Sequence, residues 1–151
     1  MKIREATEND LEVLLEFEQG IVESERLVDK TLKEGEIHYY DLSFLIRSED
    51  ALLVVVEKGN EIVASEYALI KEYQKDYTNF KKYAYLGFMF VKPEHRGEGI
   101  NQLIVERLIE WSKNKGMSEI RLDVYEQNEP AVRAYEKAGF EPLLLTMRLK
   151  T

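Results

Sequence analysis

The segment over residues 91–101 constrains this chain more than any other part of its sequence. It joins an apolar run to an amphipathic run, and it carries Gly97 and Gly99 just where the second run begins. Glycine adopts left-handed backbone conformations and lets a ligand approach the main chain closely. The first N–H groups of a helix have no partner inside the helix, and the helix dipole makes that end positive. The segment therefore predicts a strand, a loop and a helix, with an anion such as a phosphate bound at the loop.

Length and cysteine content limit the class of protein. The chain has 151 residues and no cysteine. The length predicts one domain, and the missing cysteines exclude disulfides, Cys-based zinc sites and thiol nucleophiles. No apolar run approaches the roughly 20 residues of a membrane span, and no apolar stretch of a secretory signal follows Met1. We therefore expect a cytoplasmic location and no membrane partner.

The charge balance bears on the partner. The net charge is −8. A non-specific nucleic-acid binder normally carries a basic field, so no nucleic acid is expected as a partner. An acidic surface mildly favours a cationic substrate such as an amine, although the same charge also serves solubility.

Periodicity and turn residues predict a mixed sheet covered by helices. A variant capping box, Thr7-Glu8-Asn9-Asp10, precedes apolar residues at helical spacing and predicts a helix over 8–19. Further helices are predicted near 29–33, near 42–46, after the glycines, and from Pro130 to Gly139. Strands are predicted over 51–56, 62–70, 83–91, 120–124 and 143–149, and residues 71–82 form a loop or a projecting hairpin end. This order of elements predicts an α/β fold of the α+β type.

Two motif blocks together resemble the GNAT superfamily of N-acetyltransferases. The first block is Arg96-Gly97-Glu98-Gly99-Ile100-Asn101, which is similar to the family's pyrophosphate motif, Gln/Arg-x-x-Gly-x-Gly/Ala. The second block runs from Leu122 through Asn128, Ala131 and Tyr135 to Phe140, at the expected separation from the first. The resemblance covers most of the chain, and it implies a single acyl-CoA N-acetyltransferase (GNAT) domain over residues 1–151.

The resemblance further implies a fold and a cofactor. The implied GNAT fold has a mixed, mostly antiparallel central sheet that is splayed between its fourth and fifth strands, with helices on both faces. In the family a bulge causes the splay, and Gly87 or Phe88 is its expected position here. The implied cofactor is acetyl-CoA (coenzyme A), and no metal is implied. The implied cofactor-binding residues are Met89, Phe90, Val91, Arg96, Gly97, Glu98, Gly99, Ile100, Asn101, Asn128, Ala131 and Tyr135.

The chemistry of acetyl transfer suggests a role for Tyr135. Attack of an amine on a thioester needs a neutral amine, a hydrogen-bond donor for the oxyanion and a proton for the leaving thiolate. By resemblance Tyr135 is the general acid, and a tyrosine of pKa about 10 can protonate a thiolate of pKa about 8.5 at modest cost. The alternative is a core aromatic residue on an amphipathic helix. A backbone N–H near Met89 or Phe90 is the expected oxyanion donor.

Two positions depart from the family pattern. Many members carry a Glu or Asp base on the strand that corresponds to residues 83–91, whereas this chain has no carboxylate there. Glu66 and Glu126 are the candidate catalytic bases, although each also fits a solvated surface carboxylate, and water or desolvation of the amine could replace a base. Asn101 stands where Gly or Ala is usual, so its side chain either crowds the phosphate or binds it.

The acceptor depends on residues 20–40 and 71–83, which are the least readable segments. Five aromatic residues there could line a pocket, meet the second subunit of a homodimer or pack locally: Tyr39, Tyr40, Tyr73, Tyr77 and Phe80. His95 is expected to pack or cap, and His38 to lie on the surface or in a loop. The leading hypothesis is an N-acetyltransferase for a primary amine of a small molecule or a peptide. The alternatives are a non-catalytic acyl-CoA-binding or sensing module and an interaction domain without a cofactor.

Overall fold

The computed structural model describes residues 1–151 as five strands and four α-helices. In chain order these are β1 (Lys2–Glu5), α1 (Leu11–Arg26), α2 (Leu42–Arg47), β2 (Ala51–Lys58), β3 (Glu61–Glu72), β4 (Lys82–Val91), α3 (Ile100–Asn114), β5 (Ile120–Leu122) and α4 (Glu129–Lys137). Single 3₁₀ turns precede α1 and follow β4. None of the helices is both long enough and apolar enough to cross a membrane.

The five strands form one sheet in the order β1-β2-β3-β4-β5. The first four strands pair antiparallel, and β5 runs parallel to β4. Pairing between β4 and β5 ends at Leu86 and Leu122, whereas β4 continues to Val91. The end of β4 therefore has no strand on that side, which confirms the predicted mixed sheet splayed between its fourth and fifth strands.

Helices cover both faces of the sheet and bury a core on each. The β2 strand is apolar at successive positions because alternate residues point to opposite cores. Leu53 and Val55 pack with α1 and α2, while Leu52, Val54 and Val56 pack with α3. Burial of β2 on both faces accounts for the continuous apolar run 51–56.

The N-terminal third differs from its prediction in three places. Strand β1 was not predicted, because its four residues are mostly charged, and no helix forms over 29–33. Helix α1 extends to Arg26 rather than residue 19. Gly20 lies inside the helix, where the ring of Phe90 occupies the space that a side chain would fill. The predicted capping box is confirmed, since the backbone N–H of Thr7 donates to Asp10 Oδ2 at 2.7 Å.

The predicted C-terminal strand is wrong. Residues 141–151 form no helix or strand and make no backbone hydrogen bond, and β5 itself ends at Leu122 rather than residue 124. The alternating pattern indicated a strand, but a strand needs the backbone of a partner, and none lies beside this segment. Five apolar side chains of the segment are therefore 60–89% exposed: Leu143, Leu144, Leu145, Met147 and Leu149.

Candidate active site

A bulge in β4 lies just past the point where the pairing of β4 with β5 ends. The pairing of β3 with β4 shifts next to Tyr67, so that residues 88–89 lie opposite the single residue Glu66. Phe88 is buried with φ of 64°, a left-handed conformation that is rare for a side chain of this size. Gly87 lies under the ring of Tyr67, whose Oη would stand 2.6 Å from an added Cβ. The prediction that Gly87 or Phe88 marks the bulge is therefore confirmed.

The glycine loop presents its main chain to open space. Gly97 and Gly99 have φ of 82° and 80°, and Gly99 directly precedes α3. No protein atom lies within 4 Å of a Cβ built at either glycine. The backbone N–H groups of residues 97–102 make no hydrogen bond within the protein. A run of free N–H groups at a helix N-terminus, with open space beside it, has the chemistry that an anion such as a pyrophosphate requires.

The side chains of the loop are turned onto the protein. The Nε of Arg96 donates to the carbonyl of Val91 at 3.1 Å, and Glu98 pairs with Lys58 at 2.7 Å. His95 Nδ1 lies 3.3 Å from Glu98, in agreement with the expectation that His95 packs. These contacts stabilise the loop conformation and leave its main chain free.

Asn101 and Gln102 begin helix α3 with different roles. The Oδ1 of Asn101 is buried without a hydrogen-bond partner, which marks a position where a donor from a ligand or water is expected. The Nε2 of Gln102 donates to the carbonyl of Ala134 at 3.0 Å and joins α3 to α4. Sequence reasoning missed Gln102, because no local pattern distinguishes it from a solvated glutamine.

Helix α4 faces the splay and carries Ala131 and Tyr135 of the second motif block. The Oδ1 of Asn128 accepts from the N–H of Ala131 at 3.4 Å and caps the helix, and Pro130 lies in its first turn, as predicted. Tyr135 is 8% exposed, and its hydroxyl donates to Glu66 Oε1 at 3.2 Å. The position predicted for the general acid is therefore in contact with Glu66, the residue that lies opposite the bulge.

Glu66 and Glu126 have opposite environments. Glu126 is exposed, whereas Glu66 is 0% exposed. The interpretation of Glu66 as a solvated surface carboxylate is therefore wrong. Burial raises the pKa of Glu66 to about 8. Burial and the adjacent Glu66 both raise the pKa of Tyr135 well above its usual range. The Oε2 of Glu66 has no hydrogen-bond partner.

Aromatic residues form the other side of the bulge. The ring of Tyr40 lies 4.9 Å from that of Phe88 and 5.8 Å from that of Tyr67. Of the five predicted aromatic residues, Tyr73 and Phe80 instead pack on each other and on Arg121 at the end of the β3–β4 hairpin. The predicted alternative of local packing is thus correct for Tyr73 and Phe80, while Tyr40 lies beside the splay.

A buried carboxylate positions Tyr40. Glu18 of α1 is 0% exposed and accepts from the N–H groups of Tyr39 and Tyr40 at 2.8 and 3.0 Å. His38 lies in an exposed loop, as predicted, and its Nδ1 lies 2.7 Å from the same carboxylate, so it anchors that loop to α1. The signal for Glu18 was its place on the apolar face of α1, between Phe17 and Ile21.

Acidic groups line the outer part of the splay. The hydroxyl of Tyr125 donates to Asp29 at 2.6 Å, and that of Tyr85 donates to Asp123 at 3.0 Å. Hydrogen bonds from Thr31 and Tyr125 lower the pKa of Asp29 to about 2. Negative charge is therefore held next to the aromatic side of the site.

Comparisons with known proteins agree with this geometry. The profile of the acetyltransferase (GNAT) family matches residues 16–140. A thialysine N-epsilon-acetyltransferase from Bos taurus is 31% identical over 151 aligned residues, which cover 93% of this chain and 84% of the bovine protein. A mutant protein from Bacillus halodurans superposes with a TM-score of 0.89 at 26% identity, over 100% of this chain and 99% of that one. A predicted acetyltransferase from Clostridium acetobutylicum, solved with acetyl-CoA, shares the fold with a TM-score of 0.72 at 20% identity, over 99% and 95% of the two chains.

The family profile spans most of the chain, and the bovine relative aligns with nearly all of it. The splayed sheet, the open glycine loop and the helix that carries Tyr135 give that similarity a structural basis. This chain belongs to the acetyltransferase (GNAT) family.

Proposed function

We propose that this protein is an N-acetyltransferase that moves an acetyl group from acetyl-CoA to a primary amine, by direct attack within a ternary complex. The observation that carries the proposal is the combination of free loop N–H groups with a buried tyrosine hydroxyl across the splay. The first feature suits the polyanionic end of the cofactor, and the second suits protonation of its sulfur.

The glycine loop, the end of β4 and the start of α4 fit acetyl-CoA. The N–H groups of residues 97–102, which include those of Glu98 and Ile100, would hold the pyrophosphate. The main chain of residues 89–91 would bind the peptide-like arm at the splayed edge, and Asn128 and Ala131 would border it from α4. When bound, acetyl-CoA supplies a thioester whose sulfur leaves as a thiolate.

The acid and the oxyanion donor follow from the same geometry. We assign Tyr135 as the general acid that gives its hydroxyl proton to the sulfur, and a backbone N–H at Met89 or Phe90 as the oxyanion donor. Glu126 remains the proposed base, together with water, because it is exposed. Glu66 is largely protonated at neutral pH, since burial raises its pKa to about 8, so it is a poor proton acceptor there.

The proposed acceptor is a cationic primary amine of a small molecule or a peptide. Asp29 and Asp123 hold negative charge at the outer part of the splay, where a second ammonium group of such an acceptor would be attracted. The bovine relative is named for action on the ε-amine of thialysine, which is a small cationic amine.

We propose that the protein forms a homodimer, because the exposed apolar side chains of residues 143–149 need a partner surface. Sedimentation velocity should give the mass of two chains, and removal of residues 142–151 should give one. A cytoplasmic location completes the proposal, and cell fractionation tests it.

An amine panel tests the function most directly. Purified protein is mixed with acetyl-CoA and with thialysine, lysine, polyamines, aminoglycosides or peptide N-termini, and thiol release is recorded. At least one amine should give turnover well above background, and Tyr135→Phe should remove most of it. If no amine is acetylated although CoA binds, the catalytic proposal fails.

The second candidate function is a non-catalytic acyl-CoA-binding module, which the absence of a carboxylate on β4 favours. Native mass spectrometry separates the two candidates, because retained CoA without any turnover is the result expected of the module. Gly99→Val should abolish CoA binding, since it is strained at φ of 80° and fills the open space beside the loop. Gly116→Val has similar strain at φ of 85° after α3 and should keep CoA affinity.

A further inference from the structure

Glu66 differs from the other buried carboxylates in how little compensates it. Its Oε1 meets only the hydroxyl of Tyr135, its Oε2 meets no donor, and it forms no ion pair. Its side chain extends from the bulged region of β3 to the sheet face that carries Ala64 and Ala68, which is packed with apolar side chains. A carboxyl in that environment is stable as the neutral acid, because an ionised one would need more donors or a cation.

The protonation of Glu66 decides what Tyr135 can donate. If Glu66 is ionised, the carboxylate accepts the only hydroxyl proton of Tyr135, and the tyrosine has none to give elsewhere. If Glu66 is neutral, the same 3.2 Å contact can run from the Glu66 O–H to Tyr135 Oη. The tyrosine proton is then free to point away from Glu66.

Building on the proposed function, we propose that Glu66 is a neutral positioning acid that donates to Tyr135 Oη and keeps the tyrosine proton available for the leaving sulfur. In the step itself the C–N bond forms and the C–S bond breaks. The Tyr135 proton moves to sulfur, the Glu66 proton follows to Tyr135 Oη, and water returns a proton to Glu66 after product release. The amine nitrogen loses its proton to water or Glu126.

The other ionisable groups near the pair do not compete with this arrangement. Besides Glu66, Tyr40 from the segment before α2 and Tyr85 from β4 also act on Tyr135. Burial raises the pKa of both hydroxyls, so both stay neutral across the working pH range. Glu66 is therefore the group of this cluster whose charge changes near neutral pH.

Infrared difference spectroscopy on the ligand-free protein tests the protonation state without an assay. At pH 7 the wild type should show the carbonyl stretch of a protonated carboxylic acid, and Glu66→Gln should lack it. Glu126→Gln is the matched control and should keep the band. If the wild type has no such band, the inference is overturned, whatever amine the enzyme uses.

The pH profile of turnover tests the role, with acetyl-CoA and the best amine of the panel. Turnover of the wild type should fall as pH rises through about 8, whereas Glu66→Gln, whose amide also donates, should stay active without that fall. Glu66→Leu should lower kcat about tenfold with unchanged KM for acetyl-CoA. Full activity in Glu66→Leu, or the same alkaline fall in Glu66→Gln, contradicts the inference. A wild type that shows the band but acetylates no amine contradicts the proposed function instead.

Discussion

Glu18 and Glu66 are both fully buried carboxylates, one on α1 and the other on β3. Glu18 accepts three hydrogen bonds, from two backbone N–H groups and from His38. Glu66 has a single hydrogen-bond contact, with the hydroxyl of Tyr135. A buried carboxylate with a full set of hydrogen-bond donors has a structural role, because its charge is compensated as long as the loop that supplies the donors is folded. A buried carboxyl with one partner instead gains or loses a proton near neutral pH, and such a group can take part in proton transfer.

The first difference should appear in stability. Glu18→Ala leaves the N–H groups of Tyr39 and Tyr40 unpaired in a partly buried place, and we expect it to lower the free energy of unfolding by about 3 kcal/mol. Glu16→Ala, an exposed change on the same helix, should alter it by less than about 0.5 kcal/mol. Urea unfolding measures both values. Equal small effects would remove the distinction between the two carboxylates.

The second difference is in the pH dependence of stability. Glu66 has a folded-state pKa raised from 4.5 to about 8, so its contribution to stability is present below pH 4.5 and is lost as pH rises toward 8. Relative to Glu66→Gln, the wild type should lose up to about 1.4 kcal/mol per pH unit over that range. Urea unfolding of both proteins at pH 5 and pH 8 measures it. A difference that does not change with pH would show an ordinary ionised carboxylate.

The third difference is in turnover. Tyr135→Phe removes the hydroxyl and keeps the ring, which packs on Phe140 with centroids 5.7 Å apart. We expect turnover to fall by more than about tenfold, with little change in CoA affinity. Steady-state kinetics and calorimetric titration with CoA give the two values. An unchanged rate would exclude Tyr135 from the mechanism and leave Glu66 without a function.

The smallest effect concerns His38. Its pKa is raised by the hydrogen bond to Glu18, so its contribution to stability is present below pH 6.5 and is lost as pH rises through the folded-state value. The loss of Tm in His38→Ala should therefore be small and larger at pH 6 than at pH 9. Thermal unfolding at the two values measures it, and a pH-independent loss would mean that the ring only packs.

The parts of the fold that local pattern governs were predictable. The apolar run of β2, the helix after the glycines and the α4 helix behind Pro130 all appear where periodicity and capping residues place them. Strand β1 was not predictable, because four mostly charged residues become a strand only by pairing with β2. The alternating pattern of residues 143–149 failed for the opposite reason, since it has the side chains of a strand and no partner.

The site shows the same limit. The two motif blocks indicated the loop and Tyr135, because each is a short local pattern. The burial of Glu66 depends on a bulge in a different strand and on a helix 69 residues further along the chain. No local signal distinguishes that glutamate from an exposed one. The second motif block indicates Tyr135, whereas its contact with Glu66 is visible only in the folded structure.

A ¹³C NMR titration of the glutamate side chains tests the central claim most directly, namely that the Glu66–Tyr135 pair holds a proton at neutral pH. The ligand-free protein is labelled at the carboxyl carbon of glutamate, and Glu66→Gln assigns the resonance. Glu66 should titrate with a pKa of about 8, and Tyr135→Phe should move it further upward, because the hydrogen bond from Tyr135 favours the ionised form. A Glu66 resonance that titrates near the ordinary value of 4.5 would contradict the account.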